Sequence, residues 1–148
     1  MGNTTAMADI QVVMFRNQTV HYLPQGIANF FPDIKNLMVI NSQLKSLNKN
    51  DFMTMSNLIE VVFLNNDLES LDGNLFDSVR NLSSISFGNN KIKHIGENLL
   101  SGFEHLIVAN FQNNPCIDKI DKSSYESSSS NETVKISEFK EIFQRDCQ

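Results

Sequence analysis

Chemistry in this chain would have to come from few groups. Two cysteines, Cys116 and Cys147, are its only thiols, and His21, His94 and His105 are its only imidazoles. No pair among these histidines has metal-ligand spacing with an acid or a cysteine, so no metal or other cofactor is expected. Asp67, Glu69 and Asp72 lie close together and read as a solvated turn, and no glycine-rich phosphate loop occurs. An enzyme is not indicated. Covalent modification is better represented, because four N-x-[ST] triplets make Asn3, Asn17, Asn81 and Asn131 candidate glycosylation sites.

The elements that carry these groups must fit in 148 residues, which is one compact domain or one short repeat array. Seventeen acids against twelve bases give a net charge of −5, and only three of the bases are arginine. With no basic stripe, a nucleic-acid or anionic-membrane surface is excluded as a function class. No apolar run reaches the roughly 18 residues of a membrane span, so no membrane insertion is expected. The opening MGNTTAMADI lacks the charged and apolar regions of a signal peptide.

The dominant pattern is a gapless repeat of 24 residues, with registers beginning at Ile10, Ile34, Leu58, Leu82 and Leu106. Apolar residues recur at positions one, four and six, as in Leu58-Val61-Phe63 and Leu82-Ile85-Phe87. Position nine reads Gln18, Ser42, Asn66, Asn90, Asn114, and position eleven reads Val20, Leu44, Leu68, Ile92, Cys116. Position nineteen holds Ala28, Phe52, Phe76 and Leu100, and position twenty-two holds Phe31, Met55, Val79 and Phe103. Alternation around positions four and six predicts a short strand opening each unit. One such strand cannot bury its apolar side; stacked units place those sides in a continuous core under a parallel sheet. An asparagine at position nine can bond backbone groups of neighbouring turns. Its replacement by Gln18 and Ser42 predicts a less regular first half.

These registers match L-x-x-L-x-L-x-x-N-x-L, so the chain resembles the leucine-rich repeat family over residues 10–116. The 24-residue length and the position-nineteen phenylalanine resemble its extracellular, insect-like subclass. The resemblance implies an α/β solenoid: a right-handed superhelix with a short-stranded parallel concave sheet and a largely irregular convex side. Residues 1–9 would be an N-terminal tail too small and polar to cover the first strand fully, which reads as a truncated end, as an edge where a second copy pairs, or as an edge the tail caps in part. Residues 117–148 would form a C-terminal cap, with a serine-rich loop at 123–131 and a lid helix at about 137–145 capped by Ser137. Ile136, Phe139, Ile142 and Phe143 share one face of that helix. Extracellular members often end in a cysteine-bonded cap, so the resemblance implies a Cys116–Cys147 disulfide worth about 3–4 kcal/mol on the chain-entropy model. Two free, buried thiols are the alternative.

Function then falls to the concave face, built from positions three, five and seven. Met14, Met38, Val62, Ile40 and Leu64 form a contiguous apolar patch there, with Arg16, Asn36 and Glu60 beside it. Ser86, Asn110 and Gln112 make the later turns small and polar. Exposed apolar clusters mark contact sites, and methionine adapts to varied partners. Five strands about 4.8 Å apart span roughly 20 Å and each is about 10 Å long, a face of roughly a few hundred Å² that is short of the roughly 800 Å² per partner of a stable interface, so flanking turns must contribute. The resemblance implies a protein or peptide ligand in recognition, adhesion or innate immunity. A homodimer through the N-terminal edge or the apolar patch is a second partner class. The cysteines and sequons favour a secreted protein, present here as a mature form, a fragment or an incomplete N-terminus. An intracellular leucine-rich repeat adaptor or regulatory subunit is the alternative.

Overall fold

The computed structural model describes residues 9–122 and 135–148. Asn3, Asn131 and the serine-rich loop at 123–131 therefore lie outside the described residues. Each 24-residue unit contributes one strand to the main sheet: β1 (Val12–Arg16), β2 (Asn36–Ile40), β3 (Glu60–Val62), β5 (Ser84–Ser86) and β7 (Val108–Asn110). They pair in parallel with a shift of one repeat, so Met14 faces Met38, Met38 faces Val62, Val62 faces Ser86 and Ser86 faces Asn110. The sheet ends in a strand that the repeat does not announce. In β8 (Ile120–Lys122) the chain reverses and pairs antiparallel with β7.

The convex side is stitched from short pieces. α1 is a single helical turn (Ile27–Phe30), entered through Gly26 at a φ of 76°. Lys49–Phe52 is a 3-10 turn closed by a reciprocal bond pair between Asn48 and Asp51. The third and fourth units instead contribute β4 (Ser70–Leu71) and β6 (His94–Ile95), a two-stranded parallel sheet of their own. Between the two faces lies one apolar core. Leu37, Val61, Ile85 and Ala109 fill it from position four, and Val39, Phe63, Phe87 and Phe111 from position six, all fully buried. The Phe63, Phe87 and Phe111 rings stack at 5.4 and 5.7 Å, with Phe52 edge-on to Phe63 and Phe76 tilted against Phe87 behind them.

Position nine forms the expected ladder in its last three rungs. Asn66, Asn90 and Asn114 donate to the carbonyls of Val39, Phe63 and Phe87 in the preceding turn at 2.7–3.0 Å. Their Oδ1 atoms accept from the backbone N–H groups of Leu44, Leu68 and Ile92. Ser42 takes the next rung with a shorter reach, donating to Ile40 O at 2.8 Å and receiving Gln18 N–H at 3.4 Å. Gln18 is exposed, and its side chain turns back to Arg16 O. The expectation of a less regular first half does not hold for the strands. β1 and β2 are the longest, five residues each, because Val, Met and Ile at both faces suit an extended chain; the substitutions weaken only the inner ladder.

The lid sits on the last turn. A 3-10 turn (Ile136–Glu138) leads into α2 (Phe139–Asp146), whose Phe139 and Phe143 are buried against Phe111 at 5.4 and 5.2 Å between centroids. Ser137 is not the N-cap: it lies inside the 3-10 turn, and Glu138 occupies the cap of α2 without a side-chain bond. A disulfide joins Cys116 to Cys147, with the Cα atoms 5.1 Å apart. The end of the helix is also tied to the fourth turn, where Ile95 donates its N–H to Cys147 O and Gln148 bonds Ile95 O.

Candidate protein-binding face

Strand register places the proposed contact residues before any side-chain detail. Position five runs Met14, Met38, Val62, Ser86, Asn110 across the sheet as one continuous row. Position seven begins with Arg16 beside Ile40, and position three aligns Asn36 with Glu60. These two polar side chains are joined by a 2.6 Å bond from Asn36 Nδ2 to Glu60 Oε2, which holds both at the strand entrance. Exposure grades along the row: Met14 is 47% exposed, Met38 is half-buried, and Val62 is only 9% exposed. Val62 is a correction to the expected patch. Its short β-branched side chain, flanked by strands on both sides, sits low in the sheet, so the accessible apolar surface is carried by Met14, Met38, Ile40 and Leu64. Ser86, Asn110 and Gln112 are half-buried and polar, as anticipated. Gly88 continues the seventh-position row where a β-carbon would lie 3.2 Å from Leu64 Cδ2, so Leu64 leans over the gap it leaves.

Beyond the sheet's C-terminal end the chain bends, and a feature the position-nine pattern overshadowed appears there. Asn17, Asn41, Asn65, Asn89 and Asn113, at position eight of every unit, all have left-handed φ between 54° and 56° or, for Asn41, 52°. Asparagine tolerates this conformation better than most residues, so the same residue at every eighth position was a readable turn signal. Their amides bond along the stack, Asn41 Nδ2 to Asn17 Oδ1 at 2.7 Å and Asn113 Nδ2 to Asn89 Oδ1 at 2.9 Å.

The neighbouring rim is charged. Asp67 is not a free turn acid: it pairs with Lys91 at 2.6 Å, and the bond and charge of Asp67 raise the Lys91 pKa above its ordinary value. Lys45, Glu69 and Ser70 complete a surface depression of about 530 Å³ around that pair. Among the described residues no three His, Cys, Asp or Glu side chains gather as metal ligands, and no helix is long and apolar enough to cross a membrane. His94 and His105 are exposed and His21 is half-buried. The described sequon asparagines, Asn17 and Asn81, are both exposed.

A solenoid of parallel-strand turns with a ladder of buried asparagines and a disulfide-fastened lid defines a class built for surface recognition by stacked units. The chain belongs to the leucine-rich repeat family: a family model described as a BspA type leucine rich repeat region of six copies matches residues 29–147. Members of this family typically act as non-enzymatic interaction modules. No curated protein matches the chain. Two solved structures, both titled as the Toll–Spatzle complex, a molecular hub in Drosophila development and innate immunity, resemble it in fold. The glycosylated form gives a TM-score of 0.70 at 22% identity, covering 78% of this chain and 16% of that one. The other gives 0.67 at 21%, covering 75% and 15%. The chain thus spans less than a fifth of these relatives' length.

Proposed function

We propose that this chain is a protein-binding module, secreted or part of an ectodomain, that takes a protein or peptide ligand on its concave face. One observation carries the reading: the one-repeat register lines Met14 and Met38 into a row, with Ile40 and Leu64 beside it, on a face where Met14 is exposed and the other three are half-buried. Arg16, Asn36 and Glu60 frame the apolar part, while Val62 lies beneath it and Ser86, Asn110 and Gln112 extend the face as a polar strip. Membership of the 24-residue, insect-like subclass is supported by the repeat length and by likeness in fold to the Drosophila complex. A role in recognition, adhesion or innate immunity has the same support. The extracellular setting is favoured by the disulfide, since such bonds persist in oxidising compartments. An intracellular adaptor is the weaker reading, because it would keep that bond in a reducing one.

Met38→Asp and Leu64→Asp test the face. Each places a charge where a partner's apolar surface would desolvate it, so affinity for a ligand captured by the native chain is expected to fall at least about 100-fold, with the circular dichroism spectrum native. Binding within a few-fold of the native chain would remove the concave face from consideration.

A further inference from the structure

The concave face divides at Gly88. Position seven passes from Leu64 through Gly88 to Gln112, linked by the Asn65 N–H on Gly88 O and the Asn89 N–H on Gln112 O. A β-carbon at Gly88 would lie 3.2 Å from Leu64 Cδ2 and 3.4 Å from both Nδ2 and Oδ1 of Asn110, so an apolar methyl and a carboxamide meet over the bare backbone. Met38 and Ile40 continue the apolar side, and Ser86 stands beside Asn110 on the polar side.

The polar groups on the two sides differ in how they are engaged. Asn36 and Glu60 are bonded to each other at 2.6 Å. Asn110 Oδ1 accepts the Gln112 N–H at 3.0 Å, which turns the amide so that Nδ2 is its free end. That nitrogen, the Ser86 hydroxyl and both ends of the Gln112 side-chain amide have no hydrogen-bond partner among the described residues, although all three side chains are half-buried. A donor fixed in direction selects an acceptor, and the free carboxamide next to it offers a donor and an acceptor at once. Together they complement a peptide unit, whose C=O and N–H need partners once a bound chain leaves water.

Charge and size narrow the class further. From the second unit to the fifth, positions three, five and seven hold one charge, Glu60, so a carboxylate or phosphate would meet a negative surface. No aromatic side chain stands at those positions to stack a sugar ring. A crossing of roughly 20 Å over five strands is covered by about six residues of extended chain. A face of roughly a few hundred Å² suits such a segment, whereas a folded partner needs about 800 Å².

We propose that this face binds a neutral, extended peptide lying across the strands. A large apolar side chain of that peptide rests on Met38, Ile40 and Leu64. Its next peptide unit passes over Gly88, where Asn110 Nδ2 donates to the main-chain carbonyl and the Gln112 amide bonds the main chain beyond. Small residues therefore follow the apolar one, because only they let the main chain come so close. The proposal rests on the concave-face reading above and adds to it the ligand class and the residues that read the ligand's backbone.

The test pans the full 148-residue chain, with its disulfide formed, against phage-displayed random hexapeptides. Enriched peptides, expected to carry a large apolar residue followed by small ones, are synthesised and titrated by fluorescence anisotropy. Asn110→Asp keeps an acceptor for the Gln112 N–H and replaces the free donor by a second acceptor. Affinity should then fall at least about tenfold, and about fivefold for Gln112→Ala, both with native circular dichroism. Replacing the peptide bonds one at a time by esters, which weakens the carbonyl as an acceptor, should weaken binding at one or two bonds and have no effect at those bonds on the Asn110→Asp chain. Peptides that are lost with Leu64→Asp but bind Asn110→Asp and Gln112→Ala within twofold of the native chain overturn the proposal and leave the concave face standing. Peptides indifferent to Leu64→Asp as well bring down both. A library that yields no peptide enriched over bare resin overturns the peptide class and leaves a folded protein as the partner for the face.

Discussion

Asn90 is 8% exposed, and both ends of its amide are engaged. Nδ2 donates to the Phe63 and Phe87 carbonyls, and Oδ1 accepts from Leu68 N–H. Asn90→Ala would leave these backbone groups buried without partners, a cost of about 1–3 kcal/mol for each that water cannot reach. Urea unfolding is expected to show at least about 3 kcal/mol lost, against about 0.5 kcal/mol or less for Gln18→Ala at the exposed end of the same row. Equal losses would mean the ladder is not what these residues supply. Position nine is readable because Asn66, Asn90 and Asn114 recur every 24 residues between the apolar sixth and eleventh positions. Position eight was equally regular and went unread, since a solvent-facing asparagine breaks no hydrophobic period. Val62 was placed on the correct face but at the wrong depth: period two tells which way a side chain points and nothing of what its neighbours cover.

At the scale of the elements, the strands and the lid were legible and the convex side was not. Strands β1 to β7 of the main sheet follow from alternation, and α2 from the spacing of Phe139 and Phe143. A two-residue strand such as β4 or β6 carries no period, and β8 lies where the 24-residue pattern has already ended. Contact between β4 and β6 depends on glycine. A β-carbon on Gly96 would stand 2.2 Å from Gly73 N, a backbone atom that cannot swing aside. Gly96→Ala is therefore expected to lose about 3 kcal/mol, the upper end of overpacking costs. Gly88→Ala meets only side-chain atoms, a flexible leucine methyl at 3.2 Å and the Asn110 amide at 3.4 Å, and about 1 kcal/mol or less is expected. Thermal melts of the two variants check the ranking, and a Gly96→Ala that melts with the native chain would show the turns able to spread.

For the whole molecule, the solenoid makes stability nearly one-dimensional, each turn resting on its neighbours. The two ends differ: Val13 and Phe15 are half-buried at one, and Phe111 is roofed by α2 at the other. Reducing the bond between Cys116 and Cys147, which are 31 residues apart, should cost about 3–4 kcal/mol. Hydrogen exchange should then quicken at least tenfold in α2 and β7 and stay unchanged in β1 and β2. A uniform rise along the chain would show that the turns unfold as a single cooperative unit. The reversal at β8 has a consequence for inheritance as well. Anchor, returning strand and roof are all encoded in one stretch that starts with the last turn, and the anchor occupies an ordinary eleventh-position core site. Such a cassette could be spliced behind any turn of this period with its fastening intact. Units can therefore be duplicated or deleted upstream without redesigning the end, and the length of the array is left as the quantity most easily changed.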